Sequence, residues 1–344
     1  MVIDSNMYWL PESLFEREAE LDRFLGEVPV PYDMAGYAKK DEQSGNVQIT
    51  IEKPAGCPNL NYVQGEYRLE QQLSDMDEGG VNRAILKIPG CHEWMSLESC
   101  IRFNHGMADV VKQSGGRLAA LMTVPPFASK SCFDEIDRCR ALGFNGVQLC
   151  AHYGERYLDE DVFAPFFEKL NEQKTTVYIH HTPVPVDYRS ICGYNNLRRS
   201  YGRCIDQATA IGREIFSGFF DKYPNLIFVH SMLGGAFFSI ANMMFPKKAA
   251  DEKVSRFDTG NDSAYKNFRE HIYFEMSHAQ PWGKEQLECA VKTLGADRIL
   301  FGTSYPVRKE WLTEGRAFVE NLDITDEEKQ AILHKNAEAV YHLL

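Results

Sequence analysis

Histidines and one carboxylate follow several short apolar runs in the second half of the chain. His180 and His181 end one run, His230 ends the next, and Glu275 ends a third, with His278 shortly after it. Imidazole titrates near neutral pH and a carboxylate can orient it, so these residue types can carry out general acid–base catalysis. A lone histidine at a strand end is more often structural, but four of them with a carboxylate favour a catalytic site.

A second group of residues has types that bind small molecules. Aromatic rings stack on flat substrates, and a guanidinium group holds a carboxylate in a bidentate pair. Glycines shortly after His230 would leave backbone N–H groups open at a helix start, where an anion can bind, although close packing explains them equally well. The predicted substrate-binding residues are Asn6, Tyr8, Trp9, His181, Arg199, Gly234, Ser304, Tyr305 and Arg308.

Arg198, Arg199 and Arg203 form the one noticeable basic cluster of the sequence. A solvated helix start is the commoner explanation of such a cluster, and a clamp for a substrate carboxylate is the alternative. The formal net charge of −12 argues against a nucleic-acid partner, because phosphate neutralisation needs a concentrated basic surface.

These side chains need a scaffold that brings strand ends together. Short apolar runs alternate with amphipathic segments along the chain, which is typical of βα units around a parallel sheet. The eight predicted strands are Val2 to Asn6, Val81 to Lys87, Arg117 to Val124, Gly146 to Cys150, Thr176 to His180, Leu226 to His230, His271 to Met276, and Arg298 to Gly302. The sequence therefore predicts one α/β domain over residues 1–344, a (β/α)8 TIM barrel whose working residues stand at the carboxyl ends of the strands.

Two segments do not fit the repeat, residues 27–65 and 183–203, and we predict that they are lid insertions. The alternative fold, a doubly wound open sheet of two domains, would place a glycine-rich phosphate loop after the first strand. The residues there, Asn6 to Leu10, contain no glycine, which disfavours nucleotide binding. No apolar run reaches the roughly 18 residues that span a bilayer, and no signal peptide is evident, so we expect a cytoplasmic protein.

Six short segments, in this order, resemble one known family. They are Ile3-Asp4, Met76 to Val81, Gly143 to Val147, Tyr178 to His180, Phe228 to His230 with Gly234-Gly235, and Leu300 to Pro306. Together they resemble the amidohydrolase-related family, in the branch of aminocarboxymuconate-semialdehyde decarboxylase and the hydroxybenzoate decarboxylases. The resemblance implies a metal-dependent-hydrolase type of barrel, a small carboxylated and often aromatic substrate, decarboxylation or hydrolysis, and a homo-oligomer such as a dimer.

The chain departs from that family at its metal ligands. The family places His-x-His or Glu-x-His on strand one, a histidine on strand five and an aspartate on strand eight, whereas this chain has Asn6, Tyr8 and Ser304 at three of those positions. Neutral Asn, Tyr and Ser are poor ligands for zinc beside imidazole and carboxylate. Of the family pattern, only His180 and His230 remain.

Three explanations follow. The first is an enzyme without a metal, in which His180 and His230 exchange protons and Glu275 or His278 orients one of them. The second is a relocated divalent ion, Zn, Mn or Fe, held by His180, His230 and Glu275. The third is a small-molecule-binding barrel without catalysis. We expect the first, with decarboxylation slightly ahead of hydrolysis because decarboxylation needs no activated water.

Overall fold

Eight parallel segments of strand form the centre of the molecule, as the sequence predicts. The computed structural model describes residues 1–182, 185–186, 189–245 and 262–343. The barrel strands are β1 Ile3–Tyr8, β5 Arg83–Lys87, β6 Leu118–Ala120 with β7 Met122–Thr123, β8 Val147–Cys150, β11 Thr176–His180, β12 Ile227–His230, β13 Ile272–Glu275 and β14 Ile299–Leu300. Each lies within one of the eight predicted strands or passes its end by no more than two residues.

Hydrogen bonds join these strands in chain order. One sheet has the order β1-β5-β6 and the other β14-β13-β12-β11-β8-β7. Leu121 links the two at one seam, because its N–H donates to the Leu86 carbonyl. At the other seam the Ser5 N–H donates to the Phe301 carbonyl at 2.9 Å, and Met7 forms a parallel bridge with Tyr305. The carboxyl ends of all eight strands therefore meet at one mouth.

Helices surround the strands. They are α1 Ser13–Glu16, α2 Glu18–Gly26, α3 Leu69–Glu78, α4 Leu97–Gln113, α5 Lys130–Ala141, α6 Ala164–Glu172, α7 Arg203–Phe216, α8 Phe219–Lys222, α9 Met232–Ala236, α10 Phe238–Met244, α11 Asp262–His271, α12 Lys284–Leu294, α13 Lys309–Thr313, α14 Gly315–Glu320, α15 Asp326–Gln330 and α16 Asn336–Tyr341. Within the described ranges, no helix has the length and apolar character needed to cross a bilayer.

The first predicted insertion, residues 27–65, contains a three-stranded antiparallel sheet. Its strands are β2 Ala35–Lys40, β3 Val47–Glu52 and β4 Pro58–Val63, in the order β2-β3-β4. A smaller hairpin, β9 His152–Tyr153 and β10 Arg156–Tyr157, follows β8. The second predicted insertion, 183–203, includes residues 183–184 and 187–188, which lie outside the described residues; the rest holds two short helical turns, Arg189–Ile191 and Leu197–Gly202.

The floor of the barrel is closed by the residues that follow β14 in the chain. A cluster of buried apolar side chains joins Ile3, Ile85 and Val229 of the strands to Val340 and Tyr341 of the last helix. The Val340 carbonyl of that helix also accepts a hydrogen bond from Thr176 Oγ1 of β11 at 2.6 Å. The opposite end, the mouth, carries the polar side chains.

Candidate functional site

An irregularity in β1 turns two predicted site residues toward the barrel interior. The pairing of β1 with β5 shifts register between Asp4 and Met7. Beyond this bulge, the Asn6 amide nitrogen donates to Glu275 Oε2 at 3.0 Å and to Ser304 Oγ at 2.9 Å. The Tyr8 hydroxyl lies 3.0 Å from His180 Nε2. The structure thus brings β1, β11, β13 and the residues after β14 together through five buried polar side chains.

The tautomer of His180 follows from its partners. His180 Nδ1 lies 2.7 Å from the His181 carbonyl oxygen, which can only accept, so Nδ1 carries a hydrogen. In the neutral ring Nε2 is then an acceptor, and the Tyr8 O–H donates to it. Burial and the neighbouring His92 lower the pKa of His180 well below its usual range, so the ring is neutral near pH 7. The Tyr8 hydroxyl therefore keeps its proton and is oriented by its hydrogen bond to the neutral His180 ring.

The Tyr8 oxygen has further polar neighbours. Burial, together with Glu275, raises the pKa of Tyr8 to about 12, whereas Ser304, Asn6 and the cation of Arg203 each act to lower it. These three groups would stabilise a phenolate if Tyr8 gave up its proton. The arrangement can therefore release a proton from Tyr8 at a lower cost than an apolar pocket would allow.

Arg203 is a buried cation at the same mouth. Its side chain is 8 % exposed, and its Nη2 donates to the Asn59 side-chain oxygen at 3.0 Å. Its Nε finds no hydrogen-bond partner, and no ion pair joins Arg203 to a carboxylate in the described part of the chain. Burial, helped by Arg199, lowers the pKa of Arg203 to about 10, which still leaves it charged at neutral pH. A buried, unpaired guanidinium favours an anionic ligand.

Below this layer lies a buried charge network of Lys87, Glu275 and Asp4. The Lys87 ammonium donates to the Ser5 carbonyl and lies 3.3 Å from the centre of the Tyr178 ring, whose hydroxyl donates to Glu275 Oε2. Burial lowers the pKa of Lys87 to about 7 and raises that of Glu275 to about 7. The predicted orienting role of Glu275 is not what the structure shows. Its hydrogen-bond partners among the described residues are Asn6, Tyr178 and Ser277, not a histidine.

Two residues at the mouth have strained backbones. His278 and Ser304, which follow β13 and β14, have φ of 63° and 57° although neither is glycine. Non-glycine residues with positive φ are uncommon and tend to cluster at active sites and ligand clamps. The His278 ring packs against Trp311 at 4.7 Å and His181 at 5.9 Å, and burial with Arg203 lowers its pKa to about 3. His181 and His278 therefore join the cluster, as neutral rings.

His230 lies on the other side of its strand, which corrects its predicted partnership with His180. In the pairing of β11 with β12, His230 is opposite Ile179, and Val229 is opposite the inward-facing Tyr178. Both ring nitrogens of His230 are bonded to α7, Nδ1 to Gln207 at 2.8 Å and Nε2 to Glu214 at 2.9 Å. The structure leaves this ring no contact with the mouth.

Gly234 also has a packing role, not the predicted anion-binding one. Residues 232–236 form a left-handed turn, with positive φ at all five positions. A Cβ on Gly234 would lie 2.5 Å from Ile211 of α7, and one on Gly235 would lie 1.9 Å from the Cys204 carbonyl oxygen. The glycines allow α7 to approach, and the right-handed helix start that would hold an anion is missing at this turn.

Three other predicted binding residues are placed elsewhere. The Trp9 ring packs on Gly106 of α4, and the Tyr305 hydroxyl donates to Asp75 of α3. Arg308 is exposed and pairs with Glu310. Arg199 is half-buried, and its charge helps to lower the pKa of both Arg203 and His278, so it lies near the mouth. Arg203 is the more deeply buried of these two cations near the mouth.

Sequence reasoning missed His92 and Lys87. His92 lies in a 3₁₀ turn, Cys91–Glu93, just beyond the carboxyl end of β5, and its ring meets the His180 ring edge-on at 5.3 Å. Lys87 is the last residue of β5. Both could have been found by reading the residues at and just beyond the end of β5, the second barrel strand, in the same way as those of β11 to β14.

These residues do not fit a metal ion. In the ranges that the structure describes, no three His, Cys, Asp or Glu side chains are grouped so that they could hold one. At the positions where the resemblance expects ligands, Asn6 Nδ2 donates to two oxygens and His180 Nε2 accepts from Tyr8. A metal would have to displace these hydrogen bonds and would gain mostly neutral oxygen ligands.

The Amidohydrolase family profile matches residues 69–343. The chain belongs to the Amidohydrolase family. Its named relatives are carboxy-lyases: it is 24% identical over 339 residues to gamma-resorcylate decarboxylase of Polaromonas sp., covering 90% of this chain and 99% of that protein. It is 25% identical over 244 residues to 2-amino-3-carboxymuconate-6-semialdehyde decarboxylase of Dictyostelium discoideum, covering 70% and 66%.

A solved structure of this family has the same fold. Dihydroxybenzoic acid decarboxylase of Polaromonas sp., with bound manganese and the inhibitor 2-nitroresorcinol, superposes with a TM-score of 0.72 at 20% identity, covering 99% of this chain and 97% of that one. The barrel and the family are as predicted. That relative binds manganese, whereas the described residues at the mouth of this chain do not fit a metal ion.

Proposed function

We propose that this protein decarboxylates a small aromatic carboxylate at the barrel mouth, using Tyr8 and His180 in place of a metal centre. The observation that carries the proposal is Arg203, a buried cation with an open Nε beside neutral imidazoles. An anionic substrate would supply the missing counter-charge. The decarboxylases among the relatives support an aromatic carboxylate as that anion.

The reaction needs few groups. When the bond between the ring carbon and the carboxylate breaks, the electron pair stays on the ring carbon, CO2 leaves, and one proton is added to that carbon. The Tyr8 hydroxyl, which donates to His180 at 3.0 Å, supplies the proton, and Ser304, Asn6 and Arg203 stabilise the phenolate until solvent returns a proton. Hydrolysis would need an activated water as well, for which these residues offer no strong base.

The competing hypothesis is a binding barrel without turnover. The separation of His230 from His180 favours it, since the predicted pair of proton-transferring histidines is not formed. The dimer and the cytoplasmic location remain predictions from the resemblance and the sequence.

The test is turnover of 2,6-dihydroxybenzoate, followed by CO2 release, with and without a chelator, in wild type, Arg203→Met and Arg308→Met. We expect chelator-resistant turnover that is lost in Arg203→Met and kept in the exposed control Arg308→Met. Binding without turnover in wild type would support the binding barrel. Turnover that the chelator abolishes, together with near-stoichiometric metal by elemental analysis, would overturn the metal-free site.

A further inference from the structure

His92 is a buried side chain with unused hydrogen-bonding capacity. It is 2 % exposed, and neither Nδ1 nor Nε2 finds a hydrogen-bond partner among the described residues. The Leu149 backbone lies near the ring and acts to raise its pKa, but the geometry does not meet that of a hydrogen bond. Buried polar atoms are nearly always bonded, so a ring with two open nitrogens needs an explanation.

The ring belongs to the same cluster as Arg203. It contacts the His180 ring edge-on at 5.3 Å, and both His92 and Arg203 act on the pKa of His180 and His181. The charged groups that face His92 are Glu93, itself paired with Lys53, and Lys87. Burial dominates over these charges and lowers the pKa of His92 to about 4, so its ring is neutral at pH 7.

The turn that carries His92 packs directly on the site. Gly90, which opens the turn with φ of 80°, has its Cβ position 3.1 Å from Leu60 of the insertion sheet and 3.7 Å from His180 Cε1. The next residue of that sheet toward the amino end, Asn59, holds Arg203. The insertion therefore touches both His92's turn and the anion-binding guanidinium.

We propose that His92 is a specificity-determining residue, which selects substrates with a hydroxyl group on the ring that carries the carboxylate. A neutral imidazole offers one N–H donor and one acceptor nitrogen. A carboxylate can only accept, so it can serve one of the two, whereas a hydroxyl donates and accepts and can serve either. The inference rests on the proposed function, because it takes the carboxylate to be held by Arg203.

The test compares the binding of benzoate and 2,6-dihydroxybenzoate by calorimetry in wild type, His92→Phe and His92→Gln. Phenylalanine keeps a buried ring and removes both nitrogens, and glutamine restores a donor and an acceptor. We expect wild type to prefer the dihydroxy compound by about 10- to 100-fold, because one satisfied buried polar group has about that effect. In His92→Phe the preference should fall below about threefold with benzoate affinity unchanged, and His92→Gln should regain part of it.

The outcomes separate this inference from the proposed function. If wild type binds neither compound, the proposed function fails. If wild type binds both and the preference for the dihydroxy compound is absent, or survives in His92→Phe, the role of His92 is wrong and the carboxylate site stands. Thermal unfolding controls for folding: His92→Phe should not lower the melting temperature, since the nitrogens it removes have no partner.

Discussion

His180 and His230 end neighbouring strands of one sheet, yet they have opposite environments. The His180 ring contacts Tyr8 and His92 at the mouth, whereas the His230 ring is bonded to Gln207 and Glu214 of α7 on the outer side of the strands. The cause is register, because His230 pairs with Ile179 and not with His180. Side chains alternate between the two faces of a strand, so one residue of offset separates a site residue from a structural one.

The outer side of the strands, where α7 packs on the turn at residues 232–236, is expected to tolerate substitutions least. Gly235→Ala would place a Cβ 1.9 Å from the Cys204 carbonyl oxygen at a φ of +67°, and we expect it to destabilise the protein by more than about 4 kcal/mol or prevent folding. Gly115→Ala is a matched control, since φ there is +63° but nothing lies within 4 Å; it should cost about 1 kcal/mol. Urea denaturation measures both. Equal losses would show that backbone strain, not packing against α7, decides the effect.

At the mouth, the largest effect should be on rate. Tyr8→Phe removes the proposed proton donor, and we expect kcat to fall by about 10³-fold with substrate affinity nearly unchanged. Tyr305→Phe is the control, because its hydroxyl donates to Asp75 outside the mouth. Steady-state kinetics on both variants decides the matter. Wild-type rates in Tyr8→Phe would exclude Tyr8 as the acid.

His230 tests the comparison directly. His230→Phe leaves the Glu214 carboxylate buried without its partner, so we expect a loss of about 3 kcal/mol in unfolding free energy. Activity per folded molecule should stay within about threefold of wild type, because the ring is remote from the mouth. Adding Glu214→Leu should recover part of the stability. A variant with full stability and no activity would instead place His230 in the reaction.

The smallest effect is a pH dependence. Burial raises the pKa of Glu275 from 4.5 to about 7, so its contribution to stability is present below pH 4.5 and is lost as pH rises through 7. The pKa of Lys87 is about 7 in the fold and 10.5 in the unfolded chain. Lys87 therefore changes the free energy of unfolding little between pH 4.5 and 7. The stability of Glu275→Gln relative to wild type should therefore increase from pH 4.5 to 7, by denaturation at several pH values. A constant difference would show that Glu275 titrates normally.

The fold could be predicted further than the site. Apolar runs and helical periodicity are local, and they located all eight strands. The side that each residue faces is harder to predict, because parallel strands are buried on both faces and show no polar alternation. Phe228, Val229 and His230 give no sign of which residue faces inward, and the bulge that turns Asn6 and Tyr8 inward leaves no mark in the sequence.

Site residues outside the strands were harder still. His92 is carried by a 3₁₀ turn that follows β5, so it could be found only by reading past the end of that strand. Arg203 opens a helix, where a search of strand ends would not find it. Arg203 could be recognised as one of three clustered arginines, but Arg198 is buried as well, and the cluster does not reveal which of them reaches the mouth. That depends on Asn59, which is 144 residues away in sequence.

The closed floor of the barrel has a consequence for how the protein forms during translation. Val340 and Tyr341 complete the apolar cluster of Ile3, Ile85 and Val229, and they are synthesised after all eight strands. Until they emerge from the ribosome, the first strands expose that apolar surface to water. A nascent chain that has completed every strand would therefore still be open at its base, and a ribosome stalled before residue 337 should hold a protease-sensitive barrel.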